Sequence, residues 1–219
     1  MKIDRQLVKY LQTICSRYMA KAKGILHLGA HLGMESEEYA DQDKPVLWVE
    51  ALPDVHAHLT ERLKGFPKQR ALCGLLGDID GELTRFNISN NSGGVSSSIF
   101  EFGPFGEGVQ SLWPKLELKM VAHIDLPMVR LDSLLEERDI DPSDYDFWVV
   151  DLQGAELKAI VGGRNALNRC IAILVEVSTA EVYRGGELWP ELSAWLGEKG
   201  FVIDKGLPMA LVAFRKPAY

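Results

Sequence analysis

Three acids stand where predicted strands run out: Glu50 after Val46-Leu47-Trp48-Val49, Asp151 after Phe147-Trp148-Val149-Val150, and Glu176 after Ile171-Ala172-Ile173-Leu174-Val175. A fourth strand, Ile25-Leu26-His27-Leu28, runs instead into Gly29-Ala30-His31-Leu32-Gly33. Glycines let a backbone come close to a ligand, and the helix predicted from Met34 would aim its first N–H groups at it. In an open parallel sheet, ligands bind beyond the carboxyl ends of the strands, so these four positions are where chemistry would gather. Glu50 follows the glycine turn by about twenty residues, the separation expected of an acid that hydrogen-bonds ribose hydroxyls.

The small polar run Asn90-Asn91-Ser92-Gly93-Gly94-Val95-Ser96-Ser97-Ser98 offers amide and hydroxyl groups, although Asn and Ser also bond their own backbone in turns. His27 and His31 invite a metal, but a strand residue and a turn residue four apart do not share a face as in a helical H-x-x-x-H. His56 and His58, two apart on a helix, point different ways. No second ligand for a divalent cation accompanies Asp151, so no metal is expected.

The elements that must position these residues alternate. Ile3, Leu7, Tyr10, Leu11, Ile14 and Tyr18 recur at helical spacing, giving an amphipathic helix over the first twenty residues that covers the domain. Strands follow at Ile25–Leu28, Pro45–Glu50 and Arg70–Leu76, with a helix from Pro53 to Leu63 between the last two. Asp80-Gly81 marks a turn into a short strand through Leu83, Phe86 and Ile88. From Asn90 to Pro114 the chain makes a long irregular excursion rich in Gly, Pro and aromatics, of the kind that forms binding loops. Regular structure resumes at Leu131 with a helix, the Phe147 strand, a helix over Gly154–Val161 stopped by Gly162-Gly163, the Ile171 strand and a helix around Trp189–Leu196. Phe201–Ile203 and Ala210–Phe214 make a closing antiparallel hairpin. The expected fold is α/β, a mostly parallel doubly wound sheet, with residues 1–22 as the covering helix and 23–219 as one domain.

Composition fits that plan. At 219 residues, 47% of them hydrophobic and 25% charged, the chain has enough apolar material for a single core. Lys and Arg number 24 against 31 Asp and Glu, and a net charge of −7 argues against nucleic acid as a partner. Cys15, Cys73 and Cys170 are far apart and form no C-x-x-C pair, which suits reduced thiols. The charged N-terminus reads as neither signal peptide nor membrane span, so a cytoplasmic protein is expected.

The glycine turn lacks the middle glycine of G-x-G-x-x-G that admits a dinucleotide pyrophosphate. Its spacing resembles the first motif of S-adenosylmethionine-dependent methyltransferases. H-L-G-A-H-L-G, W-V-E-A-L-P, I-S-N-N with its following serines, R-L-D-S-L-L, D-L-Q-G-A-E and V-E-V-S with V-Y-R-G-G together resemble the FkbM-type methyltransferase family, in matching order from about Ile25 to Phe201. The resemblance implies a Rossmann-like methyltransferase fold and S-adenosylmethionine as cofactor, held by His27, Gly29, Ala30, His31, Gly33, Glu50 and Ala51. Most methyltransferases have an acid where this chain has His27, which cannot hold the amino-acid part of the cofactor in the same way. The resemblance also places Asp151 and Gln153 where cofactor and acceptor meet.

For methyl transfer to a hydroxyl, Asp151 is the candidate base or acceptor-orienting residue, with Glu176 second. Glu156, in the first turn of its helix, has a structural role first, because negative charge is favoured there. Asn90, Asn91, Ser97 and Tyr183 are candidate acceptor contacts, with Arg184 and Trp189 as further candidates for the pocket wall. The expected function is O-methylation of a hydroxyl on a sugar or related small metabolite. An NAD(P)-dependent oxidoreductase on a similar sheet and a non-catalytic module retaining the fold are the alternatives.

Overall fold

The structure, a computed structural model, describes residues 16–207 and 210–215. The chain runs β1 (Ile25–Leu28), α1 (Ser36–Asp41), β2 (Val46–Glu50), α2 (Pro53–Leu63), β3 (Gln69–Cys73), β4 (Leu75–Gly77), β5 (Leu83–Ser89) and β6 (Met120–Arg130). It continues with α3 (Leu131–Glu137), β7 (Phe147–Val150), α4 (Glu156–Gly162), α5 (Arg164–Leu167), β8 (Ala172–Glu176), α6 (Trp189–Glu198), β9 (Phe201–Leu207) and β10 (Ala210–Arg215).

Seven strands form the main sheet in the order β3-β2-β1-β7-β8-β10-β9. The four inner pairings from β3 to β8 are parallel, and β10 runs antiparallel to both β8 and β9, as the closing hairpin requires. From β1 the chain moves outward through β2 to β3, then returns to lay β7 on the other side of β1. The order reverses there, and the crevice opens beyond the ends of β1 and β7.

Side chains alternate between the two faces of the sheet, and each face is buried. Leu26, Leu28, Leu47, Val49, Trp148, Val150, Ile173 and Val175 pack on one side with residues of α3, α4 and α6. Ile25, Val46, Trp48, Phe147 and Val149 face the other, under Tyr39, Leu59 and Leu63. Each large apolar side chain buried in this way stabilises the fold by about 1.5–3 kcal/mol. The Trp48 indole N–H is satisfied inside, donating to Gln69 Oε1 at 3.0 Å, while Gln69 Nε2 donates to the Ser36 carbonyl at 2.7 Å. The second face continues under residues 16–19, which are helical: Tyr18 stacks on Phe214 at 5.6 Å and donates to Asp204 Oδ2 at 2.7 Å. Ile3, Leu7, Tyr10, Leu11 and Ile14, the rest of the expected N-terminal helix, lie outside the described residues, as does Cys15.

Two expectations change. The run Arg70–Leu76 is not one strand: β3 ends at Cys73, the Gly74 N–H donates to the Glu50 carbonyl at 2.9 Å, and β4 leaves for a second sheet. A Cβ on Gly74 would lie 3.1 Å from Val129 Cγ1, so the passage runs close against β6. The second difference is β6, an eleven-residue strand where no regular structure was expected. It pairs parallel with β4 and antiparallel with β5, giving a three-stranded sheet in the order β4-β6-β5. The excursion between β5 and β6 has its own small core, in which Phe102, Leu118, Val182 and Tyr183 are buried. Phe102 bridges Tyr183, so the excursion is anchored on the segment that follows β8.

Candidate active site

The crevice begins where β1 and β7 stop. The Asp151 N–H donates to the Leu28 carbonyl at 2.9 Å, so Gly29 and Asp151 leave the sheet side by side. Gly29 has φ of +88°, and a Cβ on it would lie 1.7 Å from the Asp151 carbonyl oxygen. Glycine is required here by a crossing of two backbones. At Gly33, with φ of +60°, a Cβ would lie 2.6 Å from Leu59 Cδ1, so this glycine answers to α2 packing.

Four N–H groups of the turn are spoken for. Those of Gly29 and Ala30 both donate to the Val49 carbonyl at 3.0 Å, that of His31 to Glu50 Oε2 at 2.8 Å, and that of Gly33 to the Ala30 carbonyl at 2.9 Å. The amides at these four positions are therefore satisfied within the fold and do not form a phosphate nest. What it positions is Glu50. Buried at the end of β2, Glu50 accepts from His31 N–H and, through Oε1, from Leu52 N–H at 2.9 Å. Burial pushes its carboxyl above the usual range while these N–H groups pull it back.

Two adjoining cavities meet at Asp151, Gln153 and Val95. The smaller, about 60 Å³, is lined by Gly29, His31, Glu50, Ala51, Phe86 and Ser97 among others. The larger, about 270 Å³, is walled by Asn91, Trp113, Glu176, Tyr183 and their neighbours. Gly94, Val95 and Ser97 wall the smaller one, and His31 Nε2 meets the neighbouring Gly93 carbonyl at 3.2 Å.

Between the cavities lies a network centred on Gln153. Its Nε2 donates to Asp151 Oδ1 and, at 2.8 Å, to Glu176 Oε2. Its Oε1 accepts from the Tyr183 hydroxyl at 2.5 Å, which also reaches the Ser96 carbonyl at 3.1 Å. Gln153 holds φ of +55°, a left-handed conformation costing roughly 1–2 kcal/mol in a residue with a side chain, and Ser98 Oγ fixes it by donating to its carbonyl at 2.7 Å. Asp151 and Glu176 share a side-chain hydrogen bond, and burial together with the Asp151 charge raises Glu176 well above the carboxylate range. Burial also pushes Glu156 up to about 8, although its carboxyl accepts from the N–H groups of Leu152 and Gly154.

The structure brings most of the expected site residues to this crevice, while His27, Ala30, Gly33, Asn90, Arg184 and Trp189 stand apart. His27 lines neither cavity; it is buried below the turn, stacked on Trp48 at 4.6 Å with Nδ1 3.1 Å from the Tyr39 hydroxyl, and burial lowers its pKa to about 4. Ala30 and Gly33 face the core and shape the turn. Asn91 lines the larger cavity, but Asn90 is exposed and clamps the loop, donating to the Glu117 carbonyl and accepting from Lys119 N–H, both at 3.0 Å. Ser97 is tied up as acceptor from Ser89 N–H at 3.1 Å. Arg184 is exposed, and Trp189 packs on the core. Sequence reasoning missed Trp113, Glu187 and Val95 as cavity residues; only their place in the excursions flanking β5 and β8 pointed to them.

Residues 27–203 match the family model of the methyltransferase FkbM domain. No curated protein matches the chain. Among solved structures, the chain is similar to magnesium protoporphyrin IX methyltransferase from Synechocystis PCC 6803 with bound SAH, at 8% identity and a TM-score of 0.51, covering 99% of this chain and 90% of that one. It is also similar to a candidate caffeoyl-CoA O-methyltransferase from Staphylococcus aureus, at 12% identity and a TM-score of 0.53, covering 99% of this chain and 86% of that one. At these identities the likeness establishes a shared fold, the class I methyltransferase fold.

Proposed function

The chain belongs to the methyltransferase FkbM domain family, and we propose that it moves a methyl group from S-adenosylmethionine to a hydroxyl oxygen of a small, sugar-like acceptor. The observation that carries this reading is Glu50, a buried carboxylate fixed by two backbone N–H groups at the wall of the smaller cavity. Those two bonds leave other lone pairs on its oxygens, which suits a pair of ribose hydroxyls. The internally satisfied amides of Gly29, Ala30, His31 and Gly33 suit a cofactor without a pyrophosphate and weigh against a dinucleotide.

Gly29, His31, Glu50 and Ala51 would hold the nucleoside part, with Gln153 at the junction; Ala30, Gly33 and His27 would support the turn from behind. When bound, the cofactor supplies an electrophilic methyl group. Asp151 stands at the wall between the two cavities, where it would take the proton that the acceptor hydroxyl must lose. Gln153 donates to both Asp151 and Glu176 and so holds them in place, and Tyr183 holds Gln153. Asn91 and Tyr183 would meet the acceptor, and Asn90 and Ser97 would keep the loop in shape.

Calorimetric titration with S-adenosylmethionine, S-adenosylhomocysteine and NAD⁺ tests the reading. Micromolar binding of the first two without the third is expected. Binding of NAD⁺ alone overturns it, and binding of none favours a non-catalytic module.

A further inference from the structure

The turn that carries Asp151 into α4 is held in an uncommon shape. Gln153 and Gly154, neighbours in the chain, take φ of +55° and +99°, and a Cβ on Gly154 would lie 3.0 Å from Tyr183 Cβ. Left-handed backbone is costly in a residue with a side chain, and it persists where the surroundings hold it. Glu156 supplies that hold. It is 4% exposed, and its carboxyl turns back from the start of α4 onto the turn. Its Oε1 accepts from the Leu152 N–H at 2.8 Å and the Gly154 N–H at 3.1 Å, and its Oε2 meets the same Gly154 N–H at 3.1 Å. The two bonded amides flank Gln153, so the carboxyl grips that residue from both sides while Ser98 Oγ holds its carbonyl.

A favourable charge at a helix start requires no bonds to residues ahead of the helix. Here Leu152 and Gly154 both lie ahead of it, and the residue between them is the one whose side-chain NH₂ group donates to Asp151 and Glu176. We infer that Glu156 is a positioning residue for methyl transfer, acting through the turn at 152–154 to set the Gln153 amide against Asp151 and Glu176. This role in transfer rests on reading the crevice as a methyltransferase site.

Side-chain amide exchange, followed by NMR in the ¹⁵N-labelled protein, tests it. The Gln153 NH₂ signals, identified by their loss in Gln153→Met, should exchange with water at least about tenfold more slowly than those of an exposed glutamine. Glu156→Leu removes both acceptor oxygens. The Gln153 protection should then fall at least about tenfold while the backbone amides of β1, β7 and β8 stay protected. Glu156→Gln keeps one acceptor oxygen for the turn and should retain the protection within about threefold. Should Glu156→Leu fail to fold, Glu156→Asp, with a carboxyl one methylene short, takes its place with the same expected loss. An unprotected Gln153 in the wild type, undiminished protection in folded Glu156→Leu or Glu156→Asp, or a loss in Glu156→Gln as large as theirs overturns the inference. These measurements need neither cofactor nor acceptor, whereas the methyltransferase reading stands or falls on titration with S-adenosylhomocysteine.

Discussion

The Tyr183 hydroxyl donates to Gln153 Oε1 at 2.5 Å, while the NH₂ group of the same amide serves two carboxyls. With its oxygen turned to Tyr183, the NH₂ group must point at Asp151 and Glu176. Tyr183→Phe removes the donor and leaves a buried acceptor, a change worth about 1–3 kcal/mol. We expect turnover to fall roughly tenfold and the melting temperature to drop by about 2–4 °C for each kcal/mol lost, with S-adenosylhomocysteine affinity nearly unchanged. Wild-type turnover in this variant would show that Gln153 needs no such anchor.

Asp151→Ala separates binding from chemistry. S-adenosylhomocysteine affinity should stay within a few-fold, because Glu50 and the β1 turn are untouched. Turnover should fall by about two orders of magnitude or more, the usual worth of a positioned base. Steady-state rates on any methylated acceptor check it, and an unchanged rate removes Asp151 from the proton transfer.

The smaller cavity, at about 60 Å³, lies far below the roughly 300–1,000 Å³ of ordinary ligand pockets. A nucleoside can enter only if the loop at 93–97 yields. Hydrogen exchange over residues 90–98 should therefore change when S-adenosylhomocysteine binds. An exchange pattern identical with and without it would place the nucleoside elsewhere.

Two buried groups give opposite pH dependences. His27 is lowered to about 4, so the stability gained by burying it neutral is complete above its unfolded value and is lost as pH falls from there through 4. His27→Gln should flatten the acid limb of the stability curve, by up to roughly 3 kcal/mol. Glu156 is raised to about 8, so its contribution is complete below its unfolded value and fades as pH rises through 8. Urea unfolding of Glu156→Gln should show the variant gaining on the wild type from pH 5 to pH 8.

Gly33→Ala should destabilise without closing the cofactor site by collision. The new methyl meets Leu59, and φ of +60° adds roughly 1–2 kcal/mol of backbone strain. Denaturant midpoints should fall while S-adenosylhomocysteine affinity drops only as far as the turn shifts. A loss of binding with full stability would mean that Gly33 touches the ligand after all.

Much of this was legible in the sequence, because buried parallel strands read as short apolar runs and the acids at their ends mark the crevice. Glu50, Asp151 and Glu176 were found that way. β6 was not, since most of its residues from Met120 to Pro127 are exposed and Pro127 argues against a strand. Its alternation of Met120, Ala122, Ile124, Leu126 and Met128 was the available signal. The break at Gly74 was hidden because Leu75 and Leu76 continue an apolar run into a different sheet. His27 drew attention through its place in the motif, yet strand alternation already puts it on the same face as Ile25 and away from Leu28.

The two cavities are built from different kinds of chain. The smaller takes much of its wall from the ends of β1, β2 and β7, which also bear the core. The larger takes most of its wall from two excursions, one between β5 and β6 and one between β8 and α6. Substitutions in those excursions outside residues 93–99 leave both the main sheet's packing and the smaller cavity intact, so under the proposed function lineages of this fold can exchange one acceptor for another while keeping the proposed donor site. Divergence should accumulate around Trp113 and Glu187, and constancy around Gly29 and Glu50.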